Sequence, residues 1–130
     1  MTKYKKQNFS NTFKNARKGM RLSIKSERNI RVHLFTASLV LVTAYCLNFS
    51  IVKFCILLLT IAGVISAEMF NSAIEFSLDA IFHNRYCRMV GMAKDIAAGA
   101  VMLVTIIAVN IGKTQSINIF FTFLPPHGCQ

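Results

Sequence analysis

The sequence predicts an all-α membrane protein: an amphipathic N-terminal surface helix followed by three transmembrane helices. Three observations carry this expectation. The 130-residue chain is 54% hydrophobic with a mean hydropathy of +0.48, which is unusual for a soluble domain. Its apolar residues gather into three stretches long enough to cross a bilayer. Ten of its fifteen Lys and Arg residues fall within residues 1–31, and the remainder of the chain is mostly apolar. A chain of this length supports one domain.

The net charge of +10 raises the question of nucleic acid, and the distribution of that charge answers it. A basic segment feeding directly into apolar helices reads as a cytoplasmic membrane-surface segment, so no nucleic-acid partner is expected. Cys46, Cys55, Cys87 and Cys129 show neither C-x-x-C pairing nor metal-ligand spacing, and they receive no role. No signal peptide is expected: the basic stretch is far longer than an n-region, and no small-residue cleavage site ends the first apolar run.

Residues 1–7 read as a frayed basic tail. From about Asn8 to Ser26, Phe9, Phe13, Ala16, Met20 and Ile24 recur every three or four residues, with Lys14, Arg17, Lys18, Arg21 and Lys25 on the remaining surface. That pattern suits a helix lying on an anionic leaflet, with Asn8 or Ser10 as its cap. A helix packed against the rest of its own chain fits the pattern equally well.

The first span covers about residues 30–47, and Asn48–Phe49–Ser50 turns into the second, about 51–82. Thirty-odd residues at about 1.5 Å each exceed a hydrocarbon core of about 30 Å, so one end of the second helix projects. Its polar end is the later one, where Glu68, Asn71, Glu75 and Asp79 follow a nearly apolar start. The third span is expected over about 92–112. Residues 113–130 form a tail without assigned role; Pro125 and Pro126 forbid helix there, and INIFFTFL is too short to cross. Basic residues in the N-terminal segment and in the second connection, HNRYCR, predict a cytoplasmic N-terminus and an external C-terminus.

The chain has five acids, Glu27, Glu68, Glu75, Asp79 and Asp95, and this topology puts all of them near one membrane surface. At about 100° per residue, Glu68, Asn71, Ser72, Glu75 and Asp79 share one helix face, with Glu68 and Glu75 about 10 Å apart. Carboxylates so arranged repel, and a divalent cation or a cationic neighbour such as Lys94 or Arg31 relieves the repulsion. A set of ordinary ion pairs at helix ends, with Arg28, Arg31, Lys94 and Arg85 as counter-charges, accounts for the same spacing. Ala93, Ala97, Ala98, Gly99 and Ala100 read as small residues for close helix packing. Lys94–Asp95 differs, since it introduces two charges where neutral residues would serve. There is no phosphate-binding loop, kinase-type glycine loop or nucleophile elbow. His33, His83 and His127 are isolated and read as a polar spot near a membrane boundary, a loop residue and a tail residue.

From about Phe13 to Asn110 the sequence resembles the small three-span diacylglycerol/undecaprenol kinase family of bacteria. The resemblance rests on three segments in order. AEMFNSAIEFSLD (Ala67–Asp79) is similar to the family's A/V-E-x-x-N-[ST]-A-I-E-x-x-x-D; AKDIAAGAVML (Ala93–Leu103) is similar to the segment after its second loop; KGMRLSIKSERNIRVHL (Lys18–Leu34) resembles the segment before its first span. The resemblance implies ATP-dependent phosphorylation of a lipid alcohol in the bacterial cytoplasmic membrane, by a kinase domain over residues 1–112. It implies Glu68 as the catalytic base and Glu27 and Glu75 as carboxylates holding Mg2+. Asn71, Lys94, Asp95, Tyr86, Arg31 and Lys18 fall in the substrate- and nucleotide-binding group, and Asp79 matches a signature acid without a fixed role. It also implies a homotrimer with sites where neighbouring chains meet. Cys87 departs from the family, standing where a histidine is frequent. The Lys25-x-Glu27-Arg28-Asn29-x-Arg31 stretch looks closer to the undecaprenol-kinase branch than to the diacylglycerol-kinase branch.

Two non-enzymatic readings compete: a proton or ion relay, and a subunit binding lipid or a partner through its basic helix. A relay distributes acids through the bilayer, whereas these lie at one surface. The subunit reading leaves the acidic stripe without a function.

Overall fold

In the computed structural model, which describes residues 9–83, 85 and 87–123 with side chains to 117, the chain is all-helical. Four helices follow one another: α1 (Phe9–Ser26), α2 (Arg28–Cys46), α3 (Ile51–Phe82) and α4 (Arg88–Phe123). The expected tail at 1–7 and the cap Asn8 lie outside the described residues, and Ser10 is already inside α1.

α1 is exposed along most of its length, its Phe13 and Met20 included. It stops because Glu27 adopts an extended backbone, φ −98° and ψ 121°, and α2 starts directly afterwards. Arg31, one turn into α2, reaches back across this corner. Its Nη1 donates to the Lys25 carbonyl at 2.9 Å and the Ile24 carbonyl at 3.3 Å, supplying donors to carbonyls that α1 leaves unpaired. Ile30, only 1% exposed, anchors the same corner.

α2 ends in a tight loop. Phe49 N–H donates to the Ala44 carbonyl at 3.1 Å, and Asn48 takes a left-handed conformation (φ 50°), which Asn tolerates better than most residues. With only four residues between them, α2 and α3 run antiparallel. α3 closes on His83, also left-handed, whose N–H bonds the Asp79 carbonyl. α4 then packs back along α3, its most extensive partner.

α2, α3 and α4 are each long and apolar enough to cross a membrane. Most of their large apolar side chains point outward, Leu59 at 74% and Phe70 at 72% exposure among them. Most of their hydroxyls are satisfied within their own helices. Thr36, Ser38, Thr43, Thr60, Ser77 and Thr114 each donate to the carbonyl four residues back at 2.7–3.0 Å. This is the solution that apolar surroundings demand of a polar side chain.

The third long helix differs from the 92–112 span read from hydropathy: it begins at Arg88 and continues without a break to Phe123. The reason is the length of its partner. A side chain at Gly63 would meet Val104, and Asp79 meets Lys94, so Ile51 is level with roughly residues 116–122. α4 must run that far to cover α3. The prolines at 125 and 126 lie outside the described residues. Of the small residues near the start of α4, Ala97 is buried and Ala93 half-buried, whereas Ala98 and Ala100 face outward.

Candidate functional site

The buried face of α3 changes character along its length. Leu57 and Val64 are its apolar part; Glu68 and Ser72, the next residues on that face, are its polar part. Glu68 is only 6% exposed. A carboxylate so enclosed requires a partner, because burying a charge without one is prohibitive. The partner comes from α2: His33 Nε2 lies 3.1 Å from Glu68 Oε1, where a protonated Nε2 donates to the carboxylate. Ser72 Oγ donates to the Glu68 carbonyl at 3.0 Å, which satisfies this buried hydroxyl within α3.

One turn further, Asn71 Nδ2 donates to Glu75 Oε1 at 2.8 Å. The Asn71 Oδ1 is buried and has no hydrogen-bond partner. Another turn on, Lys94 of α4 donates to Asp79 Oδ1 at 2.6 Å. The three carboxylates of α3 are therefore relieved separately, by an imidazole, an amide and an ammonium.

Glu27 sits half-buried at the α1–α2 corner, and its side chain makes no capping bond there. The register of the α2–α3 hairpin sets its height. Six residues back from His33 and seven forward from Glu68 run the same way along antiparallel helices, by about 9–10 Å. Glu27 and Glu75 are thus at one level. Among the described residues, no three His, Cys, Asp or Glu side chains cluster at metal-binding spacing.

The remaining sequence candidates divide. Arg31 does not pair with a carboxylate; its guanidinium bonds the α1 carbonyls, because the extended backbone at Glu27 breaks the helical spacing between the two. Arg28 and Arg85 likewise form no ion pair among the described residues. Asp95 and Lys18 are exposed. Tyr86 lies outside the described residues. His33, read from sequence as an isolated polar spot, is the residue that the sequence reading missed. The signal was there: the loop at 47–50 folds α2 onto α3 so that residues nearly equidistant from it meet.

Below His33, an apolar cavity of about 350 Å3 opens between α2, α3 and α4. Val40, Leu57, Val64 and Val109 line it, so carboxylates and apolar space adjoin at His33.

Residues 14–114 match the family model described as prokaryotic diacylglycerol kinase. The chain belongs to the prokaryotic diacylglycerol kinase family. All five acids and His33 lie inside the matched region. The undecaprenol kinase of Bacillus subtilis (strain 168) is 35% identical over 104 residues, covering 80% of this chain and 84% of that protein. The diacylglycerol kinase of Synechocystis sp. (strain ATCC 27184 / PCC 6803 / Kazusa) is 35% identical over 101 residues, covering 78% of this chain and 58% of that protein. As a member of the prokaryotic diacylglycerol kinase family with three helices fit to span a membrane, the chain is a lipid kinase. The relay and binding-subunit readings give way to it.

Proposed function

We propose that this kinase transfers the γ-phosphate of ATP to the hydroxyl of a lipid alcohol, undecaprenol in preference to diacylglycerol, at the cytoplasmic face of the bacterial membrane. The observation that carries the reading is Glu68, a buried carboxylate where the apolar part of the bundle meets its acidic end. A lipid alcohol keeps its tail in the bilayer and brings only its hydroxyl to that boundary. Glu68 accepts the hydroxyl proton as the oxygen bonds to the γ-phosphorus and the bond to ADP breaks.

Glu27 and Glu75 would hold Mg2+, which supplies charge to offset that developing on the phosphates. Two features support this assignment: the common height of the two carboxylates, and the orphaned Asn71 Oδ1 beside Glu75, a further hard oxygen facing no donor. Lys94 and Asp95 at the start of α4, with Lys18, Arg31 and Tyr86, form the nucleotide- and substrate-binding group. The α1 helix lies on the membrane surface, its basic residues toward anionic headgroups. The kinase region comprises residues 1–112, and the remainder of α4 extends past it. A homotrimer would cover part of the outward apolar surface on α2, α3 and α4.

The preference for undecaprenol rests on the 25–31 segment and on the near-full-length relative bearing that name. The test is a mixed-micelle assay with purified protein, labelled ATP and Mg2+, run on both lipids in parallel. Labelled undecaprenyl phosphate forming at higher kcat/KM than phosphatidic acid is the expected result. No labelled lipid from either acceptor would sink the reading.

A further inference from the structure

We infer that His33 is the positioning residue for Glu68: from the opposite helix it fixes one carboxylate oxygen and leaves the other directed at the acceptor hydroxyl. The inference rests on the reading of Glu68 as the base. A general base in a bilayer kinase has two problems to solve together. Its buried charge must have a partner, and its carboxylate must hold one orientation although a glutamate side chain has three rotatable bonds.

Nothing on α3 itself solves either problem for Glu68. Ser72 bonds its backbone carbonyl and not its carboxylate, and Asn71 is bonded to Glu75. Among the described residues, His33 is the one side chain whose hydrogen bond to that carboxylate is seen. It comes from α2, so the bond spans two helices and ties the base to the wall it faces. The imidazole is rigid beyond its second torsion, and its Nε2 meets Oε1 at 3.1 Å, so Oε2 is the oxygen left to take a proton. A base oriented by a third group is the recurring arrangement for activated hydroxyl chemistry. The ring is also not core filler, since 30% of its side chain remains exposed and it borders the apolar cavity.

The experiment is a double-mutant cycle read in kcat and KM. His33→Ala, His33→Gln, Glu68→Gln and the His33→Ala/Glu68→Gln double variant are assayed in mixed micelles with labelled ATP and undecaprenol. His33→Ala is expected to lower kcat about tenfold or more while the KM for ATP moves less than about twofold. His33→Gln, whose amide N–H reaches as far as Nε2, should recover most of that loss. In the Glu68→Gln background, His33→Ala should cost nothing further, because residues acting as a unit are not additive. Three outcomes overturn the inference: His33→Ala at the wild-type rate, His33→Gln no better than Ala, or an equal loss in both backgrounds. The last is also what misfolding would produce. A wild-type rate in Glu68→Gln alone would instead remove the base reading, and the inference with it.

Discussion

Lys94 of α4 and Asp79 of α3 form an ion pair of 2.6 Å across the mouth of the loop that joins their helices. Their side chains are 34% and 39% exposed, and a pair so open to water contributes about 0.2–1 kcal/mol. Asp79→Asn is therefore expected to lower the unfolding free energy by no more than about 1 kcal/mol. The ammonium keeps two further N–H donors for phosphate, so Lys94→Ala should raise the KM for ATP about tenfold or more, the worth of one charge-assisted hydrogen bond. Chemical denaturation of one variant and ATP titration of the other check the two halves. A large stability loss in Asp79→Asn would make the pair structural instead.

Glu68→Gln keeps the shape of the proposed base and removes its capacity to accept a proton. Turnover should fall by about 10² or more, with the KM for ATP little changed. Since the amide can still meet His33, the thermal midpoint should hold. Near-normal turnover in steady-state assays would reduce Glu68 to a buried helix-end charge.

The common height of Glu27 and Glu75 leads to a metal prediction. Each Glu→Gln substitution should raise the Mg2+ needed for half-maximal activity and lower the maximal rate. Groups acting through one ion couple, so the double variant should lose much less than the sum of the single losses in free energy. Mg2+ titrations at fixed ATP decide between a shared ion and two independent carboxylates.

Orientation is open to a direct test. A reporter inserted at His83, the exposed C-cap of α3, is expected to remain cytoplasmic, and one fused after Gln130 to be exported. The opposite pattern would separate the acids from ATP.

How much of this was legible in the sequence depended on whether the deciding physics was local. α3 was readable at both ends, since Asn48–Ser50 breaks the apolar run and the Phe82–His83 step ends it. The clustering of Glu27, Glu68, Glu75 and Asp79 at one end followed from three spans and two short connections. The end of α4 was not readable. Thr114, Gln115 and Ser116 lower the hydropathy, yet the backbone stays helical because α3 offers a surface to pack on. Arg31 does not relieve a carboxylate as expected, because Glu27 stands at a corner where the helical spacing that would bring the two together is broken. His33 was overlooked because its partner lies 35 residues away and only hairpin register brings them together.

That same register makes the three walls of the bundle unequal in height. Arg28 is level with about residue 73 of α3, so α3 and its partner α4 rise roughly 14 Å past the start of α2. The acidic end is therefore a notch with a low sill on one side. In the proposed orientation, such an opening would face sideways, toward the headgroups, as well as upward to water. Under the proposed reaction, acceptor and nucleotide would use separate doors, the lipid sliding in over the sill and departing the same way without leaving its leaflet.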